Sequence, residues 1–348
     1  MEQLLAYLDS LNVKLWVEGD RLCYKAPLGV ISLEGLEKLQ KYKTQIIPFL
    51  QKDRQKFNLV QEKDRSWSPL VGIQTAGVKP PFFCVHPLSG NILELLELAH
   101  YLGTDRPFYG LAASGVDGKR EPLKTIEDMA ACYIQAIFAV QPSGLYFLGG
   151  YSLGGRIAFE MAQQLQQQGH QVALLAILDI PALLPRLNIT LANHHGHWTK
   201  LLSNLTQKRF GKNLPIDNEQ LQKLDPQQQL DYLLEILKAA NSISSDSEQQ
   251  MIRRILQVWR CHFEAGVTYK PKVYPGKITL FQATQEDPLD TEVFAKRVKE
   301  YALGWSELTT EPIEIHYVPG YHSTILKDPH CLVLADKLKS CLELARVS

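Results

Sequence analysis

A serine, an aspartate and a histidine, met in that order, carry the clearest chemistry in this chain. Ser152 lies in GYSLGG, residues 150 to 155, directly after the apolar run LYFLG and before the helix-forming stretch GRIAFEMAQQL. That is G-x-S-x-G in the setting it needs: strand, sharp turn, helix. The glycines fit because a Cβ beside so tight a turn would strike neighbouring chain. The hydroxyl then stands at a helix N-terminus, where backbone N–H groups favour developing negative charge. A serine so placed can attack a carbonyl and hold the acyl group as an ester, the bland alternative being a helix cap.

Such a hydroxyl needs a base within hydrogen-bond reach, and an imidazole with a pKa of about 6.5 suits the task. His322 sits in a glycine-containing loop of HYVPGYHSTIL, after the last strand-like run. His316 falls inside that run and reads as structural, while His330 opens the final helix and is the weaker rival. Two carboxylates compete to orient the base. Asp179 closes the apolar run LLAILD, and Asp287 follows ITLFQATQE. An aspartate ending so apolar a strand needs a partner to offset its desolvation, which favours Asp179. The oxyanion donors expected are the N–H of Leu153, just after the nucleophile, and that of Leu88 in HPLSGN, with Ser89 as the alternative. His86 opens that turn and reads as a support for it.

These residues require a sheet to carry them. From Pro81 onward, short apolar runs (PFFCVH, PFYGLAA, LYFLGGYS, VALLAILDIP, GKITLFQA, IEIHYVPG) alternate with helical stretches at 91–101, 125–140, 155–168 and from Pro329 to about Leu344. That alternation predicts an α/β class with a mostly parallel sheet covered on both faces, the α/β-hydrolase arrangement. Residues 186–265 interrupt it with mostly helical, Gln- and Leu-rich sequence, which reads as a lid. Ahead of it, residues 1–57 read as a small α/β unit of helix, hairpin about Gly19-Asp20, and helix, with a break at Pro48. Trp16, Leu22 and Tyr24 would form either its miniature core or an exposed docking surface. Residues 58–80 read as a linker passing into an edge segment of the domain at 81–348.

With 37 basic and 37 acidic residues in 348, the chain offers no charge footprint for nucleic acid or anionic lipid. The six cysteines lie far apart without metal-ligand spacing, which suits reduced thiols in the cytoplasm. The N-terminus lacks the basic and small-residue marks of a signal peptide, and no run approaches the roughly 18 apolar residues of a membrane span.

FCVHPLSGN, YFLGGYSLGGRIAFEMAQQL, LLAILDIP, YKPKVYPGKITLFQA and PGYHSTIL, in that order, resemble the thioesterase domains of nonribosomal peptide synthetases and polyketide synthases. The resemblance implies a triad of Ser152, Asp179 and His322, a helical lid at 186–265, and no cofactor or metal of the protein's own. It implies a substrate carried on the phosphopantetheine of an acyl or peptidyl carrier protein, released by hydrolysis or macrocyclisation. Ser89 stands where the family's H-P-x-G-G motif has its first glycine. LLAYLDSLNVKLWVEGDRLCYKAPLGVIS resembles the N-terminal docking domains of synthetase subunits. That implies recognition of the C-terminal tail of an upstream subunit, and a homodimer in some members. An editing thioesterase that clears misprimed carriers and a non-catalytic docking scaffold are the competing readings.

Overall fold

The computed structural model describes residues 1–27, 30–31, 33–52, 67–183, 195–210, 214–243, 245–286 and 301–345. The chain opens with helix α1 (Glu2–Ser10), which buries Leu4, Leu5, Tyr7 and Leu8 on one side, as their three- and four-residue spacing dictates. Strands β1 (Lys14–Glu18) and β2 (Arg21–Lys25) follow as a hairpin closed by the pair Glu18 and Arg21, with Gly19 at a φ of 60° in the turn. Helices α2 (Leu33–Lys41) and α3 (Lys43–Lys52) complete the unit. The break expected at Pro48 falls instead at Tyr42, and Pro48 lies inside α3. The carbonyl that its ring disturbs is that of Thr44, in the first turn, so little helix precedes the defect.

This unit is seated on the larger domain. The Gln3 side chain accepts from the backbone N–H of Gly72, Lys38 donates to the Glu94 carbonyl at 3.1 Å, and Lys41 pairs with Glu97 at 2.7 Å and with Asp328. Lys38 and Glu97 also pair at 3.5 Å with side chains only 5% and 7% exposed. Ions so withdrawn from water are tolerable only when paired, so the seam is a specific one.

The large sheet runs β3 (Leu70–Gln74), β5 (Phe108–Leu111), β4 (Phe82–Val85), β6 (Leu145–Tyr151), β7 (Gln171–Leu178), β8 (Thr279–Ala283) and β9 (Glu314–Val318). Only β3, the edge segment expected ahead of Pro81, is antiparallel. Central strands are continuously apolar because both faces are covered. On β4, Phe82 and Cys84 join one layer with α4 (Leu96–Leu102) and the C-terminal helix at His330–Leu344, while Phe83 and Val85 join the other with α5 (Ile126–Phe138) and α6 (Leu153–Gln167). Each such buried phenylalanine contributes on the order of 2 kcal/mol.

Within the expected insertion, the described residues are helical: α7 (His195–Phe210), α8 (Asn218–Lys223), α9 (Pro226–Ala239) and α10 (Asp246–Thr268). Reciprocal capping boxes start α9 at Asp225 and α10 at Ser245. Trp198, Leu202, Leu233, Leu237, Ile252 and Trp259 are buried in this region. The helix at His330–Leu344, α11, closes the chain. No described helix is long and apolar enough to cross a membrane.

Candidate active site

Neighbouring parallel strands β6 and β7 end in the same unusual way. Ser152, after β6, has φ 55°, and Asp179, after β7, has φ 52°. Left-handed backbone at a residue with a Cβ costs on the order of 1–3 kcal/mol and persists only where surroundings enforce it. Here they do: Ser152 N–H donates to Leu178 O at 3.0 Å, and Asp179 N–H donates to Phe281 O at 2.9 Å. The glycines close the turn. A Cβ on Gly150 would lie 2.0 Å from Gly154 O, and one on Gly154 would lie 2.4 Å from Val85 O.

His322 reaches this point from the loop after β9. Its Nδ1 is 2.9 Å from Asp179 Oδ2 and its Nε2 is 3.1 Å from Ser152 Oγ. A carboxylate only accepts, so Nδ1 carries the hydrogen and Nε2 is left to accept from the serine hydroxyl. Asp179 Oδ1 accepts from Ala283 N–H at 2.7 Å, so both carboxylate oxygens have a donor although the residue is buried. The three side chains singled out in sequence therefore form one continuous chain of hydrogen bonds. Asp287 lies outside the described residues. His316 sits in β9 with Nε2 on Glu314, stacked on Phe281, and His330 starts α11 beside Gly320.

Tyr151 is a participant that sequence reasoning missed. Its hydroxyl donates to the His322 carbonyl at 2.7 Å, and its ring stacks on the imidazole at a centroid distance of 5.2 Å. The residue before Ser152 thus steadies the imidazole of His322. An aromatic side chain in the x position of G-x-S-x-G was the only available signal.

Facing the serine turn is the loop 86–91. His86 is fully buried; its Nδ1–H donates to Pro87 O at 2.7 Å, and its Nε2 accepts from Tyr133 OH at 2.7 Å. Ser89 Oγ donates to Glu94, and Gly90 N–H donates to Pro87 O. His262, on α10, is also buried and donates from Nδ1 to Leu88 O at 2.9 Å. Burial pushes the His86 and His262 imidazoles down to about 3 and about 4, so both are neutral at physiological pH. Among the described residues, none accepts from the N–H of Leu88 or of Leu153.

Among the described residues, one cluster has donors suited to a metal. Glu314, His316 and Cys341 converge within 4.8 Å at the far edge of the sheet, but Lys277 already neutralises Glu314. Glu314 begins β9, at the opposite end of that strand from the loop that carries His322.

A family model for the thioesterase domain matches residues 80–339, and one for the TubC N-terminal docking domain matches residues 1–52. The chain is 34% identical over 227 residues to a dimodular nonribosomal peptide synthase of Bacillus subtilis, covering 62% of this chain and 9% of that one. It is 29% identical over 282 residues to a nonribosomal peptide synthetase of Aspergillus terreus, covering 76% and 28%. This chain therefore spans less than a third of either relative. Among solved structures, a holo four-domain nonribosomal peptide synthetase bound to AMP and glycine aligns at 26% identity and a TM-score of 0.65, over 82% of this chain and 21% of that one. The Vlm2 thioesterase domain bound with a dodecadepsipeptide shares the fold at 22% identity and a TM-score of 0.54, over 78% and 96%. Serine turn, parallel sheet and family match agree, and the chain belongs to the thioesterase domain family of α/β-hydrolases, preceded by a docking domain.

Proposed function

We propose that this thioesterase releases an acyl or peptidyl chain from the phosphopantetheine thioester of a carrier protein, with Ser152 as nucleophile, His322 as base and Asp179 as its orienting acid. The observation that carries the reading is the unbroken run from Asp179 through His322 to Ser152, at 2.9 and 3.1 Å. Ser152 Oγ attacks the thioester carbonyl as its proton passes to His322 Nε2. Asp179 stabilises the imidazolium through Nδ1. The N–H groups of Leu153 and Leu88 receive the oxyanion, and neither has another described acceptor. Collapse of the tetrahedral species breaks the C–S bond, and the pantetheine thiolate takes the proton back from His322. Water then yields a free acid, or an amine or hydroxyl of the acyl chain yields a ring. These steps call on no cofactor of the protein's own.

Residues 1–57 are the docking domain in this reading, 58–80 the linker, and 81–348 the catalytic domain with its lid at 186–265. The hairpin supports recognition of an upstream subunit's C-terminal tail by strand addition, in the cytoplasm. A two-residue turn makes Glu18 and Arg21 the closing hydrogen-bonded pair, so the backbone of Val17 and Leu22 faces outward. The Gln40 amide takes the Leu22 carbonyl on β2, which leaves Leu15 and Val17 on β1 as the freer edge. Trp16 and Tyr24 are 37% and 41% exposed beside it, whereas Leu22 joins the core. Pairing of two chains through the same hairpin would compete with the tail, and sedimentation with and without tail peptide separates the two.

Intact-mass measurement after brief incubation with an acyl-pantetheine thioester tests the chemistry. Wild type gains the acyl mass and Ser152→Ala does not. No adduct and no thiol release, with carrier-bound substrate as well, would turn the weight to a docking scaffold.

A further inference from the structure

The loop that holds Leu88 is gripped by two imidazoles at consecutive carbonyls. His86 Nδ1 donates to Pro87 O at 2.7 Å, and His262 Nδ1 donates to Leu88 O at 2.9 Å. The rings lie nearly parallel, 16° apart in plane and 5.0 Å between centroids. His86 is anchored from behind by the Tyr133 hydroxyl at 2.7 Å. His262 belongs to α10, a helix of the lid region, 174 residues away in sequence from the carbonyl it holds.

A trans peptide points its C=O and N–H in opposite directions. Holding Pro87 O therefore fixes the direction of the Leu88 N–H, and holding Leu88 O fixes that of the Ser89 N–H. Room for this arrangement comes from Gly90, whose φ is +75° and where a Cβ would lie 3.2 Å from His262 Cε1. The loop is also pressed from the nucleophile side, since a Cβ on Gly154 would lie 2.5 Å from His86 O.

Resting on the thioesterase reading above, we infer that His262 is a positioning residue for the oxyanion loop: the lid helix, through this one N–H, holds the Leu88–Ser89 peptide, so that with His86 on Pro87 O both peptide planes flanking Leu88, and with them its N–H, are fixed. The oxyanion site is thereby complete only while α10 is in place. Loss of this N–H frees the Leu88–Ser89 peptide to rotate and leaves the Leu88 N–H anchored from one side only, by His86 on Pro87 O, and the cost falls on the tetrahedral species rather than on the ground-state thioester.

The test uses the full chain and an acyl-pantetheine thioester, with thiol release giving kcat and KM separately. His262→Leu removes the donor. His262→Asn places an amide N–H near the position of Nδ1, and His262→Gln places one near Nε2. His262→Leu and His262→Gln lower kcat by about 10- to 100-fold with KM changed by less than about 3-fold, below the loss from removing an oxyanion donor outright. His262→Asn stays within about 5-fold of wild type in kcat. Equal rates in the Asn and Gln variants, whether high or low, overturn the inference, as does a loss confined to KM. Because both replacements are polar, that comparison stands even if the Leu variant fails to fold. A wild-type chain that neither acylates nor releases thiol overturns the thioesterase reading itself; where wild type does turn over, the variants bear on His262 alone.

Discussion

The Ser152 turn and the loop that faces it are held in shape by different means. The turn at 150–155 takes its shape from backbone alone: glycines where no Cβ fits, and a serine at φ 55° whose N–H is held by Leu178 O. The loop at 86–91 takes its shape from side chains supplied by α5 and α10, through Tyr133 and His262. A locally determined turn is rigid by sterics and intolerant of any added atom. A loop held by borrowed hydrogen bonds is adjustable, and it responds to whatever moves its donors.

The sharpest way to break the comparison is Gly154→Ala. The new Cβ would meet two carbonyl oxygens, of Val85 and His86, at 2.4 and 2.5 Å, and backbone cannot swing aside as a side chain can. The expected cost is about 3 kcal/mol or more, read as a fall in the denaturation midpoint together with lost thiol release. A variant of wild-type stability would show that the turn, too, is adjustable.

Acid should act on the loop and spare the turn. His262 is neutral in the fold with its imidazole pushed down to about 4 by burial, against about 6.5 when unfolded. The unfolded chain therefore binds the proton first, so stability is intact above pH of about 6.5 and declines as pH falls toward 4. That linkage amounts to on the order of 3 kcal/mol at most for His262, and His86, pushed down to about 3, acts in the same direction. Melting temperature against pH for wild type and His262→Asn measures it; identical slopes would remove His262 from the account.

The smallest effect expected is that of Tyr151→Phe. It deletes the hydroxyl that donates to the His322 carbonyl but keeps the ring stacked on the imidazole. A loss of about 1 kcal/mol, or roughly 5-fold in kcat, follows from one hydrogen bond to a backbone group. A much larger loss would make His322, like the loop at 86–91, dependent on borrowed support.

What the sequence made legible follows the same division. The strands, the helix after Ser152 and the two chain turns rest on periodicity and glycine placement, and they are where the spacing puts them. The order serine, aspartate, histidine was readable because each closes or follows its own strand. By contrast, His262 looked like one residue of an amphipathic lid helix, because nothing local marks a histidine whose partner lies 174 residues away. Tyr151 and the seat of the docking domain were hidden for the same reason, and so was the division at Tyr42, where a buried ring packs beside His100. Proline at position 48 was the conspicuous local signal, and it gave way because the helix begins too close before it.

The seam between the docking domain and the sheet bears on logistics. Gln3 on the β3 edge, the sequestered Lys38–Glu97 pair and Lys41 on Asp328 fix the hairpin in one orientation relative to Ser152. A captured upstream tail would then be moored to a solid pier, with no slack on this side. In the proposed reading, any reach that brings the loaded pantetheine arm to the serine would have to come from the chain between the partner's carrier and its tail. The length of that chain sets the effective concentration of substrate at the site. Too short a tether starves the enzyme, and too long a one dilutes it.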